Sequence, residues 1–347
     1  MSEKNRIGWI DAARAVGMIA IVLGHTLRGE GIYIWLYSFH VPLCVMLSGM
    51  VFSPKNAGFG AFVKRKFETR MIPYYFFALV SIAVYAVIGT SVESAVDPAQ
   101  KFVLHEQLAG MLWANGHSGL MRWNLPLWYV PMIFLMECTG WILVKKVGIH
   151  ERKRRWGALA VSAALGCVLY HVVNPWDFPL SAETMLYLLP FFLMGKDVKR
   201  LVSSDRISAP VRVLAGIVMM AAGAYVSSLC GWVDYVVDRY NNYPLFVLSA
   251  GLTSVGILFL CSALTFLNKP LGYIGRNTMG ILLMHKFPIM FFISVFPATA
   301  NLAEEYPMIG SALIAMASLA LCLMASAVLK RIMPWSLGLR KYHGRIE

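Results

Sequence analysis

Charged residues are scarce in this sequence. Asp, Glu, Lys and Arg make up 14% of its 347 residues, whereas 58% are hydrophobic and the mean hydropathy is +0.63. About a quarter of the residues of a soluble domain are charged, so the composition excludes a soluble fold and indicates an integral membrane protein. The net charge of +13 does not indicate nucleic-acid binding, because the basic residues lie in short tracts between apolar runs long enough to span a bilayer.

The sequence also lacks the cysteine patterns of a disulfide framework or a metal site. Its six cysteines are scattered within or at the ends of apolar segments, with no C-x-x-C pair and no histidine at ligand spacing. We therefore predict neither disulfides nor a bound metal. Low-complexity segments and repeats of about 20 to 50 residues are missing as well, so residues 1–347 are predicted to form a single domain.

Long apolar runs are what the sequence has in abundance. In hydrocarbon every backbone polar group must be bonded internally, so each run of about 17 to 25 apolar residues predicts a helix. The sequence therefore predicts an all-α bundle of about ten transmembrane helices. The predicted spans are residues 7–27, 32–52, 71–92, 125–147, 156–173, 182–195, 211–230, 244–266, 278–296 and 308–329.

The distribution of Lys and Arg predicts the orientation of these spans. If the first span starts in the cytoplasm, 25 of the 31 Lys and Arg residues fall in cytoplasmic segments and only four fall outside. This asymmetry follows the positive-inside rule and predicts that both termini are cytoplasmic. Asp11 and Arg14 interrupt the first run, and small residues suited to cleavage do not follow it, so we expect an uncleaved span. These features predict a multi-pass protein of the inner, cytoplasmic membrane.

The first span carries three ionisable residues, which are costly at membrane depth and therefore suggest function. Asp11 and Arg14 are three residues apart and can form an ion pair on a helix. Arg14 and His25 are eleven apart, so they project from one helix face about 16 Å apart along the axis. Alternatively, Arg14 reaches the inner headgroups, Asp11 neutralises it and His25 caps the outer end, but that reading explains no common face.

Further polar residues lie in or beside other spans. His40, Glu137 and His285 fall within predicted helices, where each could bind substrate or form a hydrogen bond between helices. Arg65 and Arg70 belong to a basic tract before the third span. Such a tract contacts anionic lipids, and its arginines also suit the phosphates of a nucleotide-like cofactor.

Several of these residues belong to motifs that occur in order along nearly the whole chain. They are WIDAAR at 9–14 with LGHT at 23–26, FHVPL at 39–43 with LSGMVF at 47–52, the basic segment 65–74, PLWYVP at 126–131, and LGYIGRNTMGI at 271–281 running on to His285. Together they resemble the membrane-bound acyltransferase family 3, which includes bacterial O-acetyltransferases of surface sugars. The chain has Ala15 where the family usually has glycine. We also expect no fused extracytoplasmic domain, because the chain ends about 18 residues after the last span.

The resemblance implies a membrane-bound O-acyltransferase that moves an acyl group, expected to be acetyl, from cytoplasmic acyl-CoA to a hydroxyl of a cell-envelope carbohydrate or lipid-linked sugar. A neutral imidazole titrates near pH 6.5 and suits a general base, a role we assign to His25. Arg14 would hold the donor and Asp11 would orient Arg14. An acyl-imidazole on His25 and direct transfer both stay open. The predicted substrate-binding residues are Arg65, Arg70, His40, Trp128, Glu137, Arg276 and His285.

A transporter or flippase is the competing prediction, with the embedded Arg, His and Glu as binding or proton-relay groups. The sequence contains no internal repeat and no paired broken helices, which argues against it. Membrane lipids are expected partners and nucleic acid is not. The sequence leaves open the acceptor, the acyl chain, the membrane face of transfer and whether the chain forms a homo-oligomer.

Overall fold

The computed structural model describes residues 7–27, 31–89, 102–173, 177–339, 341–342 and 345–346. The first six residues, predicted to be cytoplasmic, lie outside this part of the chain. The helices are α1 (Gly8–Gly24), α2 (Ile32–Val51), α3 (Phe59–Lys66), α4 (Ile72–Val84), α5 (Leu104–Trp113), α6 (Tyr129–Ile142), α7 (Arg152–Val168), α8 (Ala182–Val202), α9 (Ala209–Cys230), α10 (Tyr243–Ala263), α11 (Asn268–Gly275), α12 (Thr278–Met284), α13 (Lys286–Val295), α14 (Pro297–Glu305) and α15 (Pro307–Ile332). One short antiparallel pair joins β1 (Lys341–Tyr342) to β2 (Arg345–Ile346).

Shorter helical turns join or precede some of these helices. A π-helical turn links α3 to α4, and others follow α4, α6 and α7. The 3-10 segment Arg122–Trp128 leads into α6. In the described part of the chain, seven continuous helical segments are long and apolar enough to cross a membrane. They are Ile32–Val51, Phe59–Val87, Arg122–Val147, Arg152–Val172, Ala209–Cys230, Tyr243–Ala263 and Pro307–Ile332.

An eighth apolar segment is bent rather than straight. The helices α12 and α13 form it together, and they meet at an angle of 43° beside His285. The all-helical membrane architecture is thus confirmed. The count of ten spans stays a prediction, because α1 has only 17 residues and the end of α8 is strongly charged. The cytoplasmic location of both termini also stays a prediction.

The helices divide into inner and outer ones. The residues of α2 and α10 are mostly buried, whereas α7, α9 and α15 expose apolar side chains along much of their length. Since no water-soluble surface is so apolar, these outer faces are the ones suited to contact lipid. The inner helices therefore position the polar groups described below.

Two helices extend further than the apolar pattern predicts, and ion pairs explain both extensions. The predicted third span begins at residue 71, but the chain is already helical from Phe59. Its basic tract is held in the helix by Glu137 on α6. The predicted sixth span ends at residue 195, whereas α8 continues to Val202. There Asp197 accepts two hydrogen bonds, of 2.8 and 2.7 Å, from the guanidinium of Arg155 on α7.

Glycines allow two pairs of helices to touch backbone to backbone. Where α2 crosses α8, a Cβ added to Gly49 would collide with the carbonyl oxygen of Phe192. A Cβ added to Gly195 would lie 2.6 Å from the carbonyl oxygen of Met46, which is also too close. Where α11 crosses α1, a Cβ on Gly275 would collide with the carbonyl oxygen of Asp11. Small residues at such crossings are typical of membrane helices, which pack by close contact.

The loop between α9 and α10 buries a carboxyl group. Asp238 is 1% exposed, and its Oδ1 accepts hydrogen bonds of 3.0 Å from Thr184 and from Tyr240. Its Oδ2 has no partner among the described residues. Burial raises the pKa of Asp238 well above its usual range, and the nearby Glu183 raises it further. The folded protein therefore favours the protonated form of this group.

We expect Asp238→Asn to stabilise the protein at neutral and alkaline pH. The raised pKa stabilises the fold below about pH 4, the titration point of an unfolded aspartate, and this contribution is lost as pH rises toward the folded pKa. Asparagine keeps the accepting oxygen, carries no charge and tolerates the positive φ of 47° at this position. The thermal midpoint of the variant minus that of the wild type should grow from pH 5 to pH 8. The exposed Asp205→Asn is the control, and an equal difference there would contradict the expectation.

Candidate active site

A large cavity opens between the ends of six helical elements. Its volume is about 1040 Å³, at the upper end of the range of about 300 to 1,000 Å³ for small-molecule sites. Residues from α1, α2, α6, α8, α12 and the basic tract before α4 line it. Seven lining residues are basic and two are acidic, so the cavity attracts anions. The basic residues are Arg14, Lys66, Arg70, Lys196, Lys199, Arg200 and Arg276. We call this space the basic cavity.

The ion pair predicted in the first span is present and lies in the wall of the basic cavity. Nη1 of Arg14 donates to Oδ1 of Asp11 over 2.8 Å. The Asp11 side chain is 8% exposed and that of Arg14 is 33% exposed. The carboxylate is thus fixed in the helix bundle, while the guanidinium keeps donors free to face a ligand. This geometry suits the role of Asp11 in orienting Arg14.

A second group of charges forms another part of the cavity wall. The carboxylate of Glu137 on α6 accepts a bond of 2.5 Å from Nζ of Lys66, and Arg70 donates to both of its oxygens over 3.2 and 3.3 Å. Glu137 is 5% exposed. Two cations around one buried anion leave a net positive charge at the cavity surface. Glu137 therefore both joins α6 to the basic tract and holds two cations toward the cavity.

Three histidines and two tyrosines meet just beyond the cavity. The rings of His25 and His285 have centroids 5.2 Å apart, and Tyr37 lies 6.5 Å from His25 and 4.9 Å from His40. Tyr235 lies 5.5 Å from His40. We call these five residues the histidine cluster. Trp128 stands beside it, with its ring stacked 6.4 Å from that of Tyr235.

The histidine cluster begins one helical turn past the end of the basic cavity. The cavity reaches Ile21 on α1 and Leu282 on α12, and the next turn of each helix carries His25 and His285. His25 is exposed, although it is not among the described residues that line the cavity. The described lining of the basic cavity therefore stops about one helical turn short of His25 and His285.

Two reciprocal hydrogen bonds fix the end of α1 beside His25. The hydroxyl of Thr26 donates to the backbone carbonyl oxygen of Ser311 over 3.0 Å. In return, the hydroxyl of Ser311 donates to the backbone carbonyl oxygen of Thr26 over 2.8 Å. Both residues are buried. A histidine at the end of a helix would otherwise be free to move as the helix frays. This attachment to α15 gives its ring a defined position.

His40 and Tyr235 are held by backbone carbonyls of α2. Nδ1 of His40 donates to the carbonyl oxygen of Leu36 over 2.7 Å, which leaves Nε2 as an acceptor in the neutral ring. The hydroxyl of Tyr235 donates to the carbonyl oxygens of Tyr37 and Ser38 over 2.7 and 3.1 Å. These bonds tie the loop after α9 to α2. They make this side of the cluster rigid.

The structure distributes the predicted site residues over two places. Five of them line the basic cavity: Asp11, Arg14, Arg70, Glu137 and Arg276. Four lie in or beside the histidine cluster: His25, His40, Trp128 and His285. Arg65 is in neither place, and its guanidinium lies 5.6 Å from the centre of the Phe62 ring. The roles of all ten residues stay predictions.

Sequence reasoning missed several residues at the two places. Lys196, Lys199 and Arg200 counted only as signals of orientation, and Lys66 counted only as a member of the basic tract, although all four line the basic cavity. Their grouping near the ends of apolar runs could have suggested an anion site. For the tyrosines of the cluster, the sequence carries no comparable signal. Tyr235 comes from a loop about 200 residues away from α2.

Among the described residues, no group of three or more His, Cys, Asp or Glu is placed to hold a metal ion, and the prediction of no metal stays a prediction.

The comparisons with known proteins give one result that identifies a family. A comparison with curated proteins found no match. The sequence profile of acyltransferase family 3, described as an acyltransferase domain, matches residues 7–330. The chain, with its membrane helices, basic cavity and histidine cluster, therefore belongs to acyltransferase family 3 and is a membrane acyltransferase.

Proposed function

We propose that this acyltransferase moves an acyl group, expected to be acetyl, from acyl-CoA to a hydroxyl of a cell-envelope carbohydrate or lipid-linked sugar. The observation that carries the proposal is the basic cavity that ends one helical turn from His25. The donor would enter from the cytoplasm through the basic cavity. The acceptor would reach His25 from the other side. Transfer would then take place beside His25, in the inner membrane.

The basic cavity suits acyl-CoA because that donor carries its phosphates at one end and its thioester at the other. Lys199 and Arg200 lie near the end of α8 and would bind the phosphates of the nucleotide. Arg14 stands further along the cavity, about 16 Å from His25 along the helix axis. Its exposed guanidinium would hold the pantetheine arm or an inner phosphate, with the thioester beyond it.

His25 would act as the general base. A sugar hydroxyl is a poor nucleophile, and a neutral imidazole can remove its proton as the oxygen attacks the thioester carbon. The tetrahedral intermediate then expels the CoA sulfur, which takes the proton from the imidazolium. The products are an ester and free CoA thiol. In the alternative, the thioester first acylates His25 and releases CoA thiol, and the sugar hydroxyl then attacks the acyl-imidazole, which gives the ester and returns the proton to the imidazole.

Release of CoA thiol tests the proposal directly. The purified protein, in lipid discs with labelled acetyl-CoA, should release thiol only when an envelope carbohydrate fraction is added, and label should appear in that fraction. Uptake of the carbohydrate into sealed vesicles without thiol release would instead indicate the transporter, which membership of acyltransferase family 3 does not favour. Comparing envelope glycan acetylation with and without the protein would identify the acceptor.

We expect Lys199→Gln with Arg200→Gln to raise the KM for acetyl-CoA roughly two- to thirtyfold. Partly exposed ion pairs contribute about 0.2–1 kcal/mol each, and kcat at saturating donor should not change. The matched control is Arg206→Gln, because Arg206 is an exposed cation in the loop after α8 and is not among the described residues lining the cavity. Equal KM values for the double variant and the control would contradict phosphate binding at the end of α8.

A further inference from the structure

His285 has one ring nitrogen whose role is fixed and another that is unoccupied. It lies at the bend between α12 and α13, and its side chain is fully buried. Nδ1 is 3.0 Å from the carbonyl oxygens of both Ile281 and Leu282. A carbonyl oxygen only accepts, so Nδ1 carries the hydrogen. In the neutral ring, Nε2 is then an acceptor with a free lone pair.

The free nitrogen has no hydrogen-bond partner among the described residues. A buried polar atom without a partner is destabilising, so in a well-packed protein it needs an explanation. Because Nδ1 faces the helix of His285 itself, Nε2 lies on the far side of the ring. The ring of His25 lies beside that of His285, with centroids 5.2 Å apart and planes 30° apart. The imidazole of His25 carries an N–H group that could bond to Nε2.

We infer that His285 is a positioning residue for His25. Its Nε2 accepts the N–H of the His25 ring, and this bond selects the tautomer of His25 whose other nitrogen has a free lone pair for the acceptor hydroxyl. The bond is absent without substrate and forms when the substrates fill the site, since catalytic hydrogen bonds are commonly completed only in the substrate complex. This inference rests on the proposed function of His25 as base.

The proton balance of the reaction leaves His285 unchanged. His25 takes the proton of the hydroxyl on one nitrogen while its other N–H stays bonded to His285. The imidazolium then has both nitrogens bonded and returns one proton to the CoA sulfur. His285 keeps its Nδ1 hydrogen throughout, held by the carbonyls of α12. The carbonyls, His285 and His25 thus form a chain like the orienting group and base of other acyltransfer enzymes.

Other charged or titratable groups around the pair explain why a neutral partner is suitable. Among the described residues, His40 on α2 and Lys286 on α13 act electrostatically on His25, and Tyr37 contacts its ring. A second cation near His25 would oppose the imidazolium. His285, locked as a neutral acceptor, stabilises the imidazolium by a hydrogen bond and adds no charge.

Three variants of His285 test the inference with the transfer assay. His285→Ala should lower kcat about tenfold and leave the KM for acetyl-CoA unchanged. In a plot of kcat against pH, the acid limb should move to lower pH, because the His25 imidazolium loses its hydrogen-bond acceptor. His285→Gln can accept the same N–H with its side-chain oxygen, so it should restore most of kcat and the wild-type limb. His285→Leu, which fills the space without an acceptor, should behave like alanine.

The matched control for packing damage is Leu283→Ala. Leu283 is fully buried on the same helix, so truncating it should lower thermal stability without moving the acid limb. Adding His285→Ala to His25→Ala should cause no further loss of transfer, because the two residues act as one unit. Wild-type kcat and acid limb in His285→Ala and His285→Leu, with His25→Ala inactive, would overturn the inference alone. Full activity in His25→Ala would overturn the proposed base itself.

Discussion

Replacing His25 with alanine is expected to lower acyl transfer by about 100- to 10,000-fold, the range for loss of a general acid-base catalyst. The side chain is exposed at the end of α1, and its backbone is held by the bonds between Thr26 and Ser311, so the fold should persist. Binding of acetyl-CoA should also persist, because His25 is not among the described residues lining the basic cavity. The measurement is transfer from labelled acetyl-CoA into the envelope fraction, with donor binding followed separately.

Two other histidines serve as comparisons for His25→Ala. His285→Ala should lose much less activity, and His40→Ala should not reproduce the full loss, because a tyrosine ring separates His40 from His25. Near-normal transfer by His25→Ala with an inactive His40→Ala would move the base to α2. Loss of acetyl-CoA binding in the His25 variant would mean that this residue belongs to the donor site.

The second large effect is expected at Arg14. Arg14→Lys keeps a positive charge but loses the planar group that can bind a phosphate or amide through two parallel bonds. Hydrogen bonds to charged groups contribute about 1.5–3 kcal/mol, so acetyl-CoA affinity should fall about ten- to hundredfold. Membrane insertion should be unchanged. Donor binding by the purified protein at constant ionic strength is the measurement, since salt screens these contacts.

Asp11→Asn is the matched comparison for Arg14→Lys. Asparagine can still accept the 2.8 Å bond from Nη1, so the donor affinity should fall less than in the Lys variant. Unchanged affinity and turnover in Arg14→Lys would support the alternative in which Arg14 only reaches the lipid headgroups.

The features predicted well from the sequence are those that depend on local spacing. Asp11 and Arg14 are one turn apart in any helix, so their ion pair follows once a helix is predicted. Apolar runs likewise predict where most membrane helices lie. The ordered motifs predicted the family, which the profile match over residues 7–330 confirms.

The features that could not be predicted depend on contacts between distant parts of the chain. Nothing local indicates that Lys66 and Arg70 meet Glu137 or that His25 meets His285, because helix order in a bundle is not encoded in apolar periodicity. The bend beside His285 was also missed. The largely apolar run 278–296 predicts one span, and its interruptions by His285, Lys286 and Pro288 were not taken as signs of a bend, whereas the structure turns by 43° within it.

The glycine crossings have a mechanical consequence. Transport by alternating access requires one group of helices to rock against another, and helices move past each other more easily when side chains rather than backbones are in contact. At Gly49, Gly195 and Gly275 such side chains are missing, because the backbone of one helix rests directly on the carbonyls of the next. The wall formed by α1, α2, α8 and α11 therefore behaves as a stiff frame. Such a frame holds Asp11 and Arg14 of the basic cavity at a fixed distance from α2, α8 and α11.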